Sequence, residues 1–117
     1  FFLLDSEHHG NALNLYMAAE KAFPDNPSYP CGLSYVYSFL DLHDLAVEHA
    51  KRAVELAPTD HQLLNDLGVS LREAGQLEEA AEALKQAIAL SDDDYPLARN
   101  NLEEIQDLLS TTHTTKD

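Results

Sequence analysis

Six histidines, one cysteine and a run of three aspartates are the side chains of this 117-residue chain that could do chemistry. The histidines are His8, His9, His43, His49, His61 and His113, and no two stand three or four residues apart, the spacing that lets two imidazoles share a metal from one helix face. His9 and His43 lie 34 residues apart, at the phase where Leu77 stands, which predicts a half-buried turn position rather than a ligand. A nucleophilic Cys31 would need a base within hydrogen-bond reach and a group that favours its thiolate, and the sequence identifies neither, so an inert, semi-buried thiol is expected. Asp92, Asp93 and Asp94 precede the last apolar-periodic segment, where the positive end of a helix dipole favours carboxylates, so they are expected to cap that helix. The four glycines form no phosphate-cradling run. No catalytic residue, no metal site and no cofactor is expected, and the chain is not expected to be an enzyme.

Charge narrows the partners further. Seven Lys and Arg against 21 Asp and Glu give −14, which repels phosphate backbones and anionic lipid heads, so neither nucleic acid nor a membrane surface is expected as a partner. No apolar run approaches the roughly 18–20 residues of a membrane span. Phe1-Phe2-Leu3-Leu4 is too short for a signal peptide and the chain starts without methionine, so a fragment or processed form is expected, and the compartment is left open. With 44% apolar residues the chain is rich enough to build one core, and a single cysteine cannot form an internal disulfide.

The elements that position these residues follow from a period. Ala12, Ala46 and Ala80 fall at intervals of 34, as do Ala19, Ala53 and Ala87. Leu3, Tyr37, Leu71 and Ile105 form another series in the same register, Ala22, Leu56 and Leu90 a further one, and Leu33 pairs with Leu67. A period of this length, with alanines at fixed phases, requires a supersecondary unit that stacks on copies of itself. Leu63, Leu64, Leu67, Val69 and Leu71 make one helical stripe, Ala74-Gly75-Gln76 a turn, and Leu77, Ala80, Ala81, Leu84, Ala87 and Ile88 a second stripe. Asp60, or Thr59 one residue earlier, can cap the first of these helices, and Pro58 stops the preceding one. No stretch alternates with period two, so no sheet is expected.

These residues resemble the tetratricopeptide repeat family. Residues 61–94 carry Leu64, Leu67, Gly68, Leu71, Ala80, Leu84 and Ala87 at that family's signature phases, and residues 27–60 carry Leu33, Ser34, Tyr37, Ala46, Ala50, Ala53 and Pro58. Residues 1–26 are similar to the end of a first helix and a complete second helix, through Leu3, Ala12, Tyr16, Ala19 and Pro24, and residues 95–110 to a capping helix. The resemblance implies an all-α, right-handed α-solenoid: one domain over 1–110, with a flexible tail over 111–117. Two departures are visible. Pro30 stands where the family has a large apolar residue, so the helix there is expected to start late, with Ser28 as its cap, and to pack less well. Asn101-Leu102 replaces an apolar-then-small pair in the last helix, as expected where stacking ends.

The resemblance also implies a concave groove lined by the first helix of each pair, presented to a peptide or helix of another protein in a scaffold or adaptor role. Its phases give Tyr35, Phe39 and Val69 as apolar contacts and Asn65, Arg72 and Arg99 as polar ones. One family variant binds acidic chaperone C-termini through two lysines, two asparagines and an arginine. Cys31, Tyr35, Asp66, Pro96 and Asn100 occupy those phases here, so that activity is not expected, and a basic or apolar partner segment fits the charge better. The alternative is a self-association or spacer module, in which the Phe1–Leu4 end of the first repeat meets another copy.

Overall fold

The computed structural model of the chain describes residues 6–91 and 95–115, with side-chain surroundings for 10–91 and 95–111. Six helices follow one another: α1 (Ser6–Ala22), α2 (Ser28–Phe39), α3 (His43–Leu56), α4 (His61–Glu73), α5 (Leu77–Leu90) and α6 (Pro96–Thr115). There is no strand among the described residues, and the all-α helical repeat expected from the period is the fold. Two compact units divide the chain at Pro58/Thr59. In unit 1, α2 packs against both α1 and α3; in unit 2, α5 packs against both α4 and α6. The expected end of an earlier helix and the aspartate cap fall at residues 1–5 and 92–94, outside the described residues.

The hairpin turns show how closely the period is obeyed. In unit 2, Gly75 takes a left-handed φ of 83°, and Gln76 N–H donates to Leu71 C=O at 2.9 Å, closing the end of α4. Thirty-four residues earlier Asp41 does the same with φ 60°, and Leu42 N–H donates to Tyr37 C=O at 2.9 Å. A glycine adopts this conformation without a Cβ penalty, and aspartate is one of the few other residues that tolerates it.

Helix starts differ between the units. Asp60 caps α4 as expected, its side chain accepting from Gln62 N–H at 3.0 Å and Leu63 N–H at 3.3 Å, an arrangement worth about 1 kcal/mol. At α2 the cap is not the Ser28 side chain. Pro27 occupies the N-cap position without a side-chain bond, and the Asn26 carboxamide accepts from Ser28 N–H at 2.9 Å. Pro30 lies in the first turn, where its missing N–H has no helical acceptor to lose, and it is among the fully buried side chains, so the looser packing expected there is not found. At the other end α6 continues to Thr115, so residues 111–115, expected as a tail, are helical; neither Gly nor Pro follows Ser110 to break the helix.

Each core is built at the repeating phases. In unit 1 Leu33, Tyr37 and Ala46 form the buried cluster, with Leu13 and Tyr16 of α1 packed on it. Ser34 occupies the small-residue phase, and its hydroxyl donates to Ala46 C=O at 2.9 Å, so the buried polar atom is satisfied. In unit 2 the equivalent position is Gly68, against which Leu84 seats directly. Leu71, Leu84, Ala87, Ala98 and Ile105 complete that core.

Candidate functional site

On α2, Leu33 and Tyr37 turn into the core, and the Tyr37 ring stacks on His49 of α3 with centroids 5.2 Å apart. A third of a turn away, Tyr35 and Phe39 lie one helical turn apart and are 51% and 60% exposed. Large aromatic rings kept this accessible on one helix face carry much apolar area with little conformational freedom to lose, the properties of binding anchors.

Unit 2 supplies a different surface. Its two first-type helices, α4 and α6, are tied side chain to side chain. Asn101 Nδ2 donates to Asn65 Oδ1 at 3.1 Å, and Arg72 Nη1 pairs with Glu104 Oε1 at 2.7 Å. Asn65, expected as a polar contact for a partner, is therefore 3% exposed and already holds one bond to α6. Arg72 is half-exposed and keeps further N–H donors beyond the one on Glu104; an ion pair this accessible contributes about 0–1 kcal/mol. Val69 is half-buried on the same stripe of α4, and Arg99 is exposed on the first turn of α6, where its backbone N–H donates to Tyr95 C=O at 3.0 Å. Asn101 and Glu104 were not among the expected contacts. The signal for Asn101 was its phase, 34 residues after Leu67, where the two full repeats carry a core leucine.

The electrostatics of this surface are negative. Tyr95 stands just before α6 with its ring edge-on to His61 at 5.0 Å. Burial lifts its phenol above the ordinary 10.0, and the Asp66 and Asp60 carboxylates lift it further by disfavouring the phenolate. Asp66→Asn is expected to lower that pKa while leaving it above the ordinary value, because the burial remains; a 13Cζ-tyrosine NMR titration measures it. The unfolded chain releases this proton first, so Tyr95 stabilises unit 2 below pH 10 and loses that contribution as pH rises through its folded value. Cys31 is half-buried, and among the described residues no three His, Cys, Asp or Glu side chains gather around one point as metal ligands would. No described helix is long and apolar enough to cross a membrane.

Stacked helical hairpins with exposed aromatic and polar side chains on their first helices define a class, the protein-interaction repeat scaffold. Two family models, each described as Tetratricopeptide repeat, match residues 31–60 and 61–94, together more than half of the chain. The chain belongs to the tetratricopeptide repeat family. It is 30% identical over 108 residues to small glutamine-rich tetratricopeptide repeat-containing protein 2 of Saccharomyces cerevisiae, covering 86% of this chain and 31% of that protein. Against the peroxisomal targeting signal 1 receptor of Dictyostelium discoideum it is 33% identical over 84 residues, 70% of this chain and 13% of the receptor. The chain thus spans about a third or less of either relative. Among solved structures, the Sgt2 TPR domain of Aspergillus fumigatus superposes with a TM-score of 0.85 at 21% identity, over 95% of this chain and 74% of that one. The first TPR of Spaghetti (RPAP3), bound to the HSP90 peptide SRMEEVD, superposes at 0.81 with 22% identity, over 92% of this chain and 87% of that one. At such identities the likeness is one of fold.

Proposed function

We propose that this chain binds a segment of another protein through the first helices of its repeats, using Tyr35 and Phe39 on α2 in unit 1 and the α4/α6 surface, with Val69, Arg72 and Arg99, in unit 2, and that it catalyses nothing. The exposure of Tyr35 and Phe39, one turn apart on a helix whose opposite side is fully packed, carries the reading. It is supported by relatives and neighbours whose names and complexes concern a targeting-signal receptor and a bound peptide. The acidic ligand of the Spaghetti domain does not carry over. A chain of net charge −14, with Asp66 and Asp60 bearing on Tyr95, disfavours a carboxylate-rich tail and suits a basic or apolar segment.

The test is affinity capture from a source lysate with the native chain and a Tyr35→Ala/Phe39→Ala variant, matched for helicity. Because aromatic anchors are worth about 2 kcal/mol or more each, a groove partner is expected to fall at least tenfold in recovery with the variant. Equal recovery of every protein by both forms would remove α2 from the site. A second reading, self-association, is favoured by Leu15 at 72% and Met17 at 45% exposure on α1, and a molar mass that rises with concentration would establish it.

A further inference from the structure

The pair Asn65–Asn101 is out of place as packing. Asn101 sits at the phase where Leu33 and Leu67 are buried core residues, and it points toward α4 as they point into their own hairpins. Asn65 is 3% exposed. Burying two carboxamides where one leucine would serve costs free energy unless their hydrogen-bonding groups are used. The single bond between them uses one donor and one acceptor. Among the described residues the Nδ2 of Asn65 has no acceptor and the Oδ1 of Asn101 no donor, and neither atom is sealed from solvent. What faces outward is one amide donor beside one amide acceptor, held in a fixed mutual orientation by the bond behind them. Reversing both amides would present the same two functions in the opposite order.

A donor beside an acceptor at the spacing of two paired carboxamides complements one peptide unit. We propose that Asn65 and Asn101 form a subsite for the main chain of an extended partner segment, Asn65 Nδ2 donating to its carbonyl and Asn101 Oδ1 accepting from its N–H. The inference rests on the protein-binding reading above and deepens it, because it selects the ligand's conformation. In a helical ligand the interior backbone amides are satisfied internally and have nothing to offer the pair, whereas an extended segment leaves them open. Side-chain identity is not read at this subsite, so sequence preference must come from its neighbours, among them the acidic surroundings of Tyr95.

Side-chain amide NMR of the whole 15N-labelled chain tests this. The probe is capped trialanine, Ac-Ala-Ala-Ala-NHMe, set against the same peptide methylated at every backbone nitrogen. Capped trialanine is expected to shift the Asn65 and Asn101 NH2 signals saturably, and the methylated peptide to bind at least tenfold more weakly. Asn101→Leu, which restores the residue type that the repeat carries at this phase and so keeps the fold, is expected to abolish the Asn65 response. Equal responses to both peptides would overturn the proposal, as would shifts confined to Tyr35 and Phe39, which would leave the protein-binding reading standing. No shift at any residue would also overturn it, while the protein-binding reading would still be decided by the lysate capture.

Discussion

Alanine at Gly68 is expected to destabilise unit 2 by about 1–3 kcal/mol, and the same substitution to become neutral or stabilising once Leu84 is alanine. A Cβ at Gly68 would stand 2.7 Å from Leu84 Cγ and 2.8 Å from its Cδ2, with Ala80 C=O at 3.4 Å behind them. Leu84 is fully buried, so its branch cannot swing into solvent, and the two helices must part or the leucine must leave its rotamer. Leu84→Ala alone removes that obstacle and leaves a cavity, for about 2–5 kcal/mol. In that background the Gly68→Ala methyl fills part of the space, and alanine favours the helix over glycine by about 1 kcal/mol. The double variant should therefore be more stable than the sum of the singles by more than 1 kcal/mol, read from a urea-denaturation cycle. Additivity within about 0.3 kcal/mol would show that the contact across α4 and α5 does not govern this interface.

Gly32→Ala tests how α1 is held. A Cβ there would overlap Cε1 and Cζ of Tyr16 and stand 2.8 Å from its Cδ1, so the phenol ring rests directly on the backbone of α2. Tyr16 differs from Leu84 in being only half-buried, so its ring can move outward. The expected result is local: α1 loosens as Tyr16 leaves the Leu33–Tyr37–Ala46 cluster, while the α2–α3 hairpin, whose core residues are untouched, stays folded. Hydrogen exchange should show loss of protection over residues 6–22, amounting to about 1–3 kcal/mol, with residues 43–56 unchanged. A uniform loss across unit 1 would mean that α1 is an inseparable part of its core.

Some of this protein could be read without coordinates. The interval of 34 placed Ala46 with Ala80 and Ala53 with Ala87, and all four are buried. Gly75 and Asp60 marked a turn and a cap by their chemistry, since a left-handed φ and an orphan N–H each call for a particular residue type. Such features are local or repeat at fixed phase, so a single chain carries their signature. Tyr35 and Phe39 were likewise separable from Leu33 and Tyr37 by helical angle alone.

Other features depended on tertiary structure. Pro30 looked like a packing defect, yet it is fully buried, because the space at that phase is set by the helices around it and not by the residue. The Asn26 cap of α2, in place of Ser28, depended on the backbone path between α1 and α2. The largest difference is in α4. Asn65 and Arg72 have the residue types of outward polar contacts, but whether they face a partner or α6 turns on the rotation and offset of that last helix. Asn101 and Glu104, 36 and 32 residues away in the chain, meet them only because α6 docks as it does. Hydrophobic periodicity specifies which face of a helix is buried; it leaves open which polar groups meet across two neighbouring helices, because hydrogen-bond pairing changes with shifts of an ångström that apolar packing tolerates.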